Sequence, residues 1–247
     1  MKIIFLGTNG WYDTATGNTI SILVETTKAY IVFDAGNGLY KLDRFIQIRK
    51  PVYLFLSHLH LDHIIGLHTL AKLNLPQGMH IVVPKQLKKE LQRFMRRPLT
   101  VPFNKLPFCR VKLQSYHKMI KAPFSIKSYR LNHPSPCWGY RLYADGKVLA
   151  YGPDTGLCSN LFKLAKQADV YISESSWLPG ETHQGWTHLN PELAAGVAKQ
   201  AQVKRLILTH FDASRYTTLA HRRRAELVAK KIFKNTIAAE DNQEMNI

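Results

Sequence analysis

Ser57-His58-Leu59-His60-Leu61-Asp62-His63, directly after the apolar run Val52-Tyr53-Leu54-Phe55-Leu56, is the stretch on which the reading of this chain turns. An extended segment that ends in a turn aims alternate side chains the same way, so His58 and His60 can grip one cation while Asp62 and His63 reach a neighbour. Imidazole nitrogen and carboxylate oxygen suit zinc foremost, then manganese or iron. Catalytic sites hold such ions with few protein ligands, so that a water completes the shell and becomes the nucleophile. The run therefore predicts a metal-dependent hydrolase with two divalent ions. Ordinary surface or core histidines would rarely fall at these intervals behind a strand.

A centre with two metals needs more ligands than one loop supplies. Three further candidates each follow an apolar run: His133 in Tyr129-Arg130-Leu131-Asn132-His133, Asp154 in Gly152-Pro153-Asp154-Thr155, and His210 in Leu206-Ile207-Leu208-Thr209-His210. Loops leaving the ends of a packed sheet are where polar side chains converge while the strands stay buried. Taken singly, each is as well explained as a cap or turn residue, Asp154 above all, with Pro153 and Gly156 beside it.

In order and type these residues resemble the metallo-β-lactamase superfamily, whose hydrolases share an HxHxDH motif, a lone histidine, a bridging aspartate and a last histidine. The resemblance implies an αββα sandwich, two mixed sheets with helices on the outer faces. It also implies that His58, His60 and His133 hold one metal, that Asp62, His63 and His210 hold the other, and that Asp154 bridges them. Within the superfamily the chain is similar to the ribonuclease Z-like phosphodiesterase branch over nearly its whole length. Phe5-Leu6-Gly7-Thr8-Asn9-Gly10, Gly17-Asn18-Thr19, Phe33-Asp34-Ala35-Gly36 and Leu208-Thr209-His210-Phe211 carry that likeness. Ser173-Glu174-Ser175 and Thr187-His188-Leu189-Asn190-Pro191 sharpen it, because in that branch a glutamate and a histidine at these places help the leaving oxygen depart.

The implied pair has a physical basis: a carboxylate beside an imidazole favours the protonated ring, which then serves as a general acid. Glu174 and His188 are accordingly the expected acid pair, and Asp62 the residue that orients the water. His188 could instead belong to the cap of a helix beginning at Pro191, although Asn190 already reads as that cap, and Glu174 could be structural.

The likeness has departures. Leu61 and Leu189-Asn190 stand where the tRNA-processing relatives carry glycine and a serine-threonine pair. Those relatives also place a long basic arm between the lone histidine and the bridging aspartate. Here Trp138 to Tyr143, a turn at Ala144-Asp145-Gly146-Lys147, and Val148 to Tyr151 read only as a hairpin. The missing arm favours a compact substrate such as a cyclic nucleotide.

Charge pulls toward a polyanion: 34 Lys and Arg face 17 Asp and Glu, a formal +17. The basic clusters around Lys85 to Lys89 and Arg93 to Arg97 are explained as solvated helix faces, because Leu87, Leu91, Phe94 and Met95 recur at helical spacing. His221-Arg222-Arg223-Arg224 reads the same way.

The chain's 247 residues carry no linker, repeat or low-complexity stretch, so a single catalytic domain, 1–247, is expected. Short β-branched runs (Ile20 to Val24, Tyr30 to Phe33, His80 to Val83) alternate with helical patterns at Leu67 to Leu75, Pro191 to Ala201 and His221 to Phe233, an α/β arrangement. The start reads as a strand rather than a secretory signal, and no apolar run is long enough to cross a bilayer. The unpaired Cys109, Cys137 and Cys158 suit packing in a reducing cytoplasm. His68 is expected to pack or support the site, and His80, His117, His183 and His221 receive no role. Trp138, Tyr140, Trp177 and Trp186 are as consistent with core packing as with base stacking.

The expected function is thus phosphodiester hydrolysis, of cyclic nucleotides first and of RNA or tRNA 3′ ends second. Thioester or lactone hydrolysis and a non-catalytic nucleic-acid-binding module rank behind these. A redox di-iron protein is disfavoured, since that branch usually carries a glutamate where His60 stands. Homodimers are common among the enzymes the chain resembles.

Overall fold

Strands that are apolar on both faces belong inside a layered structure whose sheets are covered on either side. In the computed structural model, which describes residues 1–116, 122–183 and 185–247, the first sheet has the order β15 (Glu244–Asn246), β1 (Lys2–Gly7), β3 (Ser21–Glu25), β4 (Tyr30–Phe33), β5 (Val52–Phe55), β6 (Leu75–Val83), β7 (Cys109–Ser115). The second has the order β14 (Thr236–Ala238), β12 (Leu206–Thr209), β11 (Val170–Glu174), β10 (Lys147–Gly152), β9 (Trp138–Ala144), β8 (Ser125–Arg130). Both are mixed: β4 through β7 run parallel, as do β10, β11, β12 and β14, and the remaining pairings are antiparallel. A short parallel pair, β2 (Asn9–Gly10) with β13 (Phe211–Asp212), joins the segment after β1 to the segment after β12.

Alternation along each strand builds three apolar layers. Ile3, Phe5, Ile22, Ile31, Phe33 and Phe55 point between the sheets and meet Tyr140, Leu149, Tyr151 and Ile172. Their neighbours Ile4, Leu23, Val32 and Leu54 point outward under the helical segments of the first sheet, among them α1 (Leu42–Phe45) and α3 (Lys88–Phe94). On the far side Leu164, Ala195, Ala198 and Ala225 cover the second sheet, carried by α4 (Ser159–Ala165), α5 (Pro191–Gln200) and α6 (Leu219–Ile232). This is the expected αββα sandwich. Phe33 stacks on Tyr151 at 5.1 Å between centroids, and rings buried this fully contribute about 1.5–3 kcal/mol each.

The hairpin between His133 and Asp154 is as expected, with Asp145 (φ 50°) and Gly146 (φ 70°) forming the two-residue turn that matches strand twist. Two expectations fail. Residues Ile65–Ala71 form a 3-10 turn rather than a helix to Leu75, because Leu75 already opens β6, which bends at Gly78 (φ 73°). Arg222 is not solvated: it is fully buried on α6, where it donates to Thr8 Oγ1 at 2.7 Å and to the Ala239 carbonyl at 3.1 Å. Arg223 and Arg224 do face solvent. No helix among the described residues is long and apolar enough to cross a membrane. His117 lies outside the described residues.

Candidate metal centre

The carboxyl ends of β4, β5, β10, β11 and β12 open on one edge of the sandwich, where ligands of layered α/β proteins gather. Beyond β5 the chain runs to His60, whose backbone is extended (φ −64°, ψ 148°), then enters the single helical turn α2 (Leu61–Ile64). That change of backbone turns Asp62 and His63 away from His58 and His60. The seven residues expected as ligands fall into two groups, each with its ligand atoms within 4.8 Å of one another: His58, His60, His133 and Asp154, then Asp62, His63 and His210. Asp154 presents Oδ1 to His63 Nε2 (3.1 Å) and His210 Nε2 (3.2 Å), and Oδ2 to His58 Nε2 (3.8 Å), one oxygen toward each group.

Outer partners decide which ring nitrogen faces inward. His63 Nδ1 donates to Asp34 Oδ2 at 2.8 Å. Ser57 Oγ donates to the same oxygen at 2.8 Å and pairs with His58 Nδ1 at 2.9 Å. His60 Nε2 pairs with Ser135 Oγ at 2.9 Å, and His210 Nδ1 with Ser176 Oγ at 3.1 Å. The opposite nitrogens all point into the cluster, where buried His58 Nε2 has no hydrogen-bond partner. Buried polar atoms without partners are costly, and a nitrogen and oxygen donor set turned inward in this way fits divalent metal ions.

Charge agrees. Burial, with the neighbouring His63, holds His58 well below its ordinary pKa, and burial takes His133 down to about 4, leaving lone pairs free. His63 rises despite its burial because Asp154, Asp62 and Asp34 surround it. Burial works against the charge of Asp154, yet His210 and His63 hold it well below the ordinary carboxylate range. These carboxylates call for positive charge at the cluster.

Glu174, fully buried at the end of β11, accepts from His188 Nδ1 (2.8 Å), Thr155 N–H (2.8 Å) and Ser176 Oγ (2.8 Å). It therefore steadies His188, the Asp154 loop and, through Ser176, His210. Burial disfavours charge on the His188 ring, but Glu174 outweighs it and raises the pKa to about 9. Asn190 caps α5 by accepting from Leu193 N–H, so His188 is not spent as the cap.

Sequence reasoning missed several residues here. Asp34 stands out in the sequence only within Phe33-Asp34-Ala35-Gly36, although its Oδ1 also accepts from Ser57 N–H (2.7 Å) and its Oδ2 from Tyr151 Oη–H (2.6 Å). Trp11, at φ 70°, donates its backbone N–H to Asp62 Oδ2 at 2.9 Å. Gly10 lets His210 approach: a Cβ there would lie 2.5 Å from Cε1 of that ring. His68 is solvent-facing in a separate groove beside Tyr40, Arg44 and Lys72, so it neither packs in the core nor supports the cluster. None of the three cysteines belongs to either ligand group, and Cys109 and Cys137 are buried, as packing residues would be.

A cavity of about 540 Å3 opens over the cluster, lined by Trp11, Leu61, His133, Trp186 and His188 among others. A fold of this kind with this donor set defines a metal-dependent hydrolase. Residues 29–211 match the beta-lactamase superfamily domain, and the chain belongs to that superfamily. Among curated relatives it is similar to ribonuclease Z of Staphylococcus aureus (strain JH9), 25% identical, with 88% of this chain and 90% of the relative aligned. Among solved structures it resembles the metallo-beta-lactamase fold protein YhfI from Bacillus subtilis (TM-score 0.81, 21% identity, 99% and 98% of the two chains). It also resembles the short form of human tRNase Z (TM-score 0.76, 22% identity, 100% and 99%).

Proposed function

We propose that the chain is a two-metal phosphodiesterase, with cyclic nucleotides as its first substrate class. The observation that carries this reading is the Glu174–His188 pair at 2.8 Å, whose histidine lines the same cavity as His60, Asp62, His133, Asp154 and His210 of the cluster. His58, His60 and His133 would hold one divalent ion and Asp62, His63 and His210 the other, with Asp154 between them. Two such ions supply Lewis acidity that lowers the pKa of a water and offsets charge on a phosphoryl oxygen.

The remaining steps belong to the chain. Asp62, steadied by the Trp11 N–H, orients the attacking water for in-line displacement. His188 carries a proton at neutral pH; its Nδ1 is engaged by Glu174, so Nε2 delivers the proton to the leaving alkoxide. The cavity of about 540 Å3 and the plain hairpin between His133 and Asp154 support a compact substrate. A second reading, an endonuclease acting on RNA 3′ ends, draws support from the likeness to ribonuclease Z and from the +17 charge.

The test is hydrolysis of 3′,5′-cyclic nucleotides beside a tRNA precursor with a 3′ trailer, using metal-quantified protein and His188→Ala. Cyclic-nucleotide turnover that falls on the order of 10²–10⁴-fold in the variant supports the first reading. Trailer cleavage alone supports the second. Neither activity with two metals bound would overturn both and leave acyl hydrolysis as the next candidate.

A further inference from the structure

Two large aromatic side chains stand in solvent at the mouth of the cavity: Trp11 is 56% exposed and Trp186 55%. Their ring centroids are 6.1 Å apart at 37°. Trp186 continues to Trp177 (6.4 Å), and Trp177 meets His188 edge-on (5.7 Å, 85°). An unbroken aromatic path therefore runs from the candidate acid to the surface. A second cavity of about 310 Å3, lined by Tyr12, Trp177, His183 and Arg215, shares Trp11 and Trp186 with the first, so both indoles serve as wall to two adjoining spaces.

This wall is held in place relative to the cluster. Trp11 is tied to Asp62 through its backbone N–H and follows Gly10 of β2, which pairs with β13 next to His210. Among the described residues lining the larger cavity there is no lysine or arginine. A phosphodiester anchored at the cluster therefore finds apolar and aromatic surface for its organic part, with Leu59, Leu61 and Pro134 also lining the space. Flat π-faces hold nucleobases with little sequence preference.

Building on the phosphodiesterase reading, we infer that Trp11 and Trp186 stack a nucleobase attached to the scissile phosphate on its His188 side, making nucleotide phosphodiesters the substrate class over baseless phosphate esters. The probes are adenosine 5′-monophosphate and ribose 5-phosphate, which differ by the base. Binding of each is measured by calorimetry on manganese-loaded wild type, Trp11→Ala, Trp186→Ala and the two phenylalanine variants. The wild type is expected to bind the nucleotide at least tenfold more tightly than the sugar phosphate. Each alanine variant is expected to lose roughly fivefold or more of that preference, and the phenylalanine variants, which keep a flat ring, to retain most of it.

Equal binding of the two probes by the wild type, or a preference unchanged in the alanine variants, overturns the inference. Should an alanine variant fail to fold, the wild-type ratio and the phenylalanine variants decide. Hydrolysis of thymidine 5′-monophosphate p-nitrophenyl ester, a phosphodiester that carries a base, by the wild type is followed in parallel. Hydrolysis without base preference overturns this inference alone. No hydrolysis overturns the phosphodiesterase reading and this inference with it.

Discussion

Replacing Asp34 by asparagine keeps shape and removes one charge, and the geometry around it sets the outcome. Asp34 is fully buried; Oδ1 accepts from Ser57 N–H (2.7 Å), while Oδ2 accepts from His63 Nδ1 (2.8 Å), Ser57 Oγ (2.8 Å) and Tyr151 Oη (2.6 Å). An amide offers one acceptor oxygen and one donor nitrogen, so either orientation sets its NH2 against a group that must donate. If the NH2 faces His63, that ring escapes only by moving its proton to Nε2, the nitrogen aimed at the metal cluster. Losing a charge-assisted bond and leaving a buried donor unmatched should cost about 2–4 kcal/mol of stability. For a chain of this size that is a fall of roughly 5–15 °C in melting temperature. Outer partners of metal-binding histidines typically govern affinity by about 10–100-fold, so metal binding should weaken by that factor. Calorimetric melting of the metal-free protein and metal titration with a chromogenic chelator read the two effects separately. A variant that melts within about 2 °C of the wild type and binds two ions with wild-type affinity would refute the assigned role of Asp34.

Gly10→Ala places a Cβ 2.5 Å from His210 Cε1, so elemental analysis should find one ion per chain in place of two, with activity reduced about 10²-fold. In the pH profile, kcat should fall as pH rises through a value no higher than about 9, where His188 loses its proton, and this limb should vanish in His188→Ala; bound cations beside the ring move it lower. The same raised pKa has a stability consequence: the His188–Glu174 contribution is complete below the ordinary histidine value of about 6.5 and is lost as pH climbs to about 9, which melting curves between those limits would register. Arg222→Met strips donors from Thr8, Asn9 and the Ala239 carbonyl within the core, and should lower stability by about 3–5 kcal/mol, read as a loss of roughly 10 °C or more in melting temperature.

Much of the fold was legible because the signal is local. Continuous apolar runs such as Val52–Phe55 and Leu206–Thr209 require two covered faces, and the Asp145–Gly146 turn closes a hairpin by its backbone preference alone. The segment after His63 misled, because the apolar residues Leu67, Leu70, Leu73 and Leu75 are buried in a 3-10 turn and a strand start as readily as along one helix. Arg222 misled because its sequence neighbours Arg223 and Arg224 do face water, and only the packing of α6 against the N-terminal strand end makes it an internal donor.

The candidate site divides along the same line. Consecutive residues after β5 carry their geometry with them, since extended backbone followed by one helical turn orients His58, His60, Asp62 and His63 whatever else the chain does. Asp34 beneath His63, Trp11 against Asp62, Gly10 under His210 and the joining of Trp11 with Trp186 link positions 29, 51, 200 and 175 residues apart in the chain. Nothing in spacing or composition marks such pairs. They arise from the register of two sheets and the approach of their loops at one edge, interactions that exist only after the layers have packed.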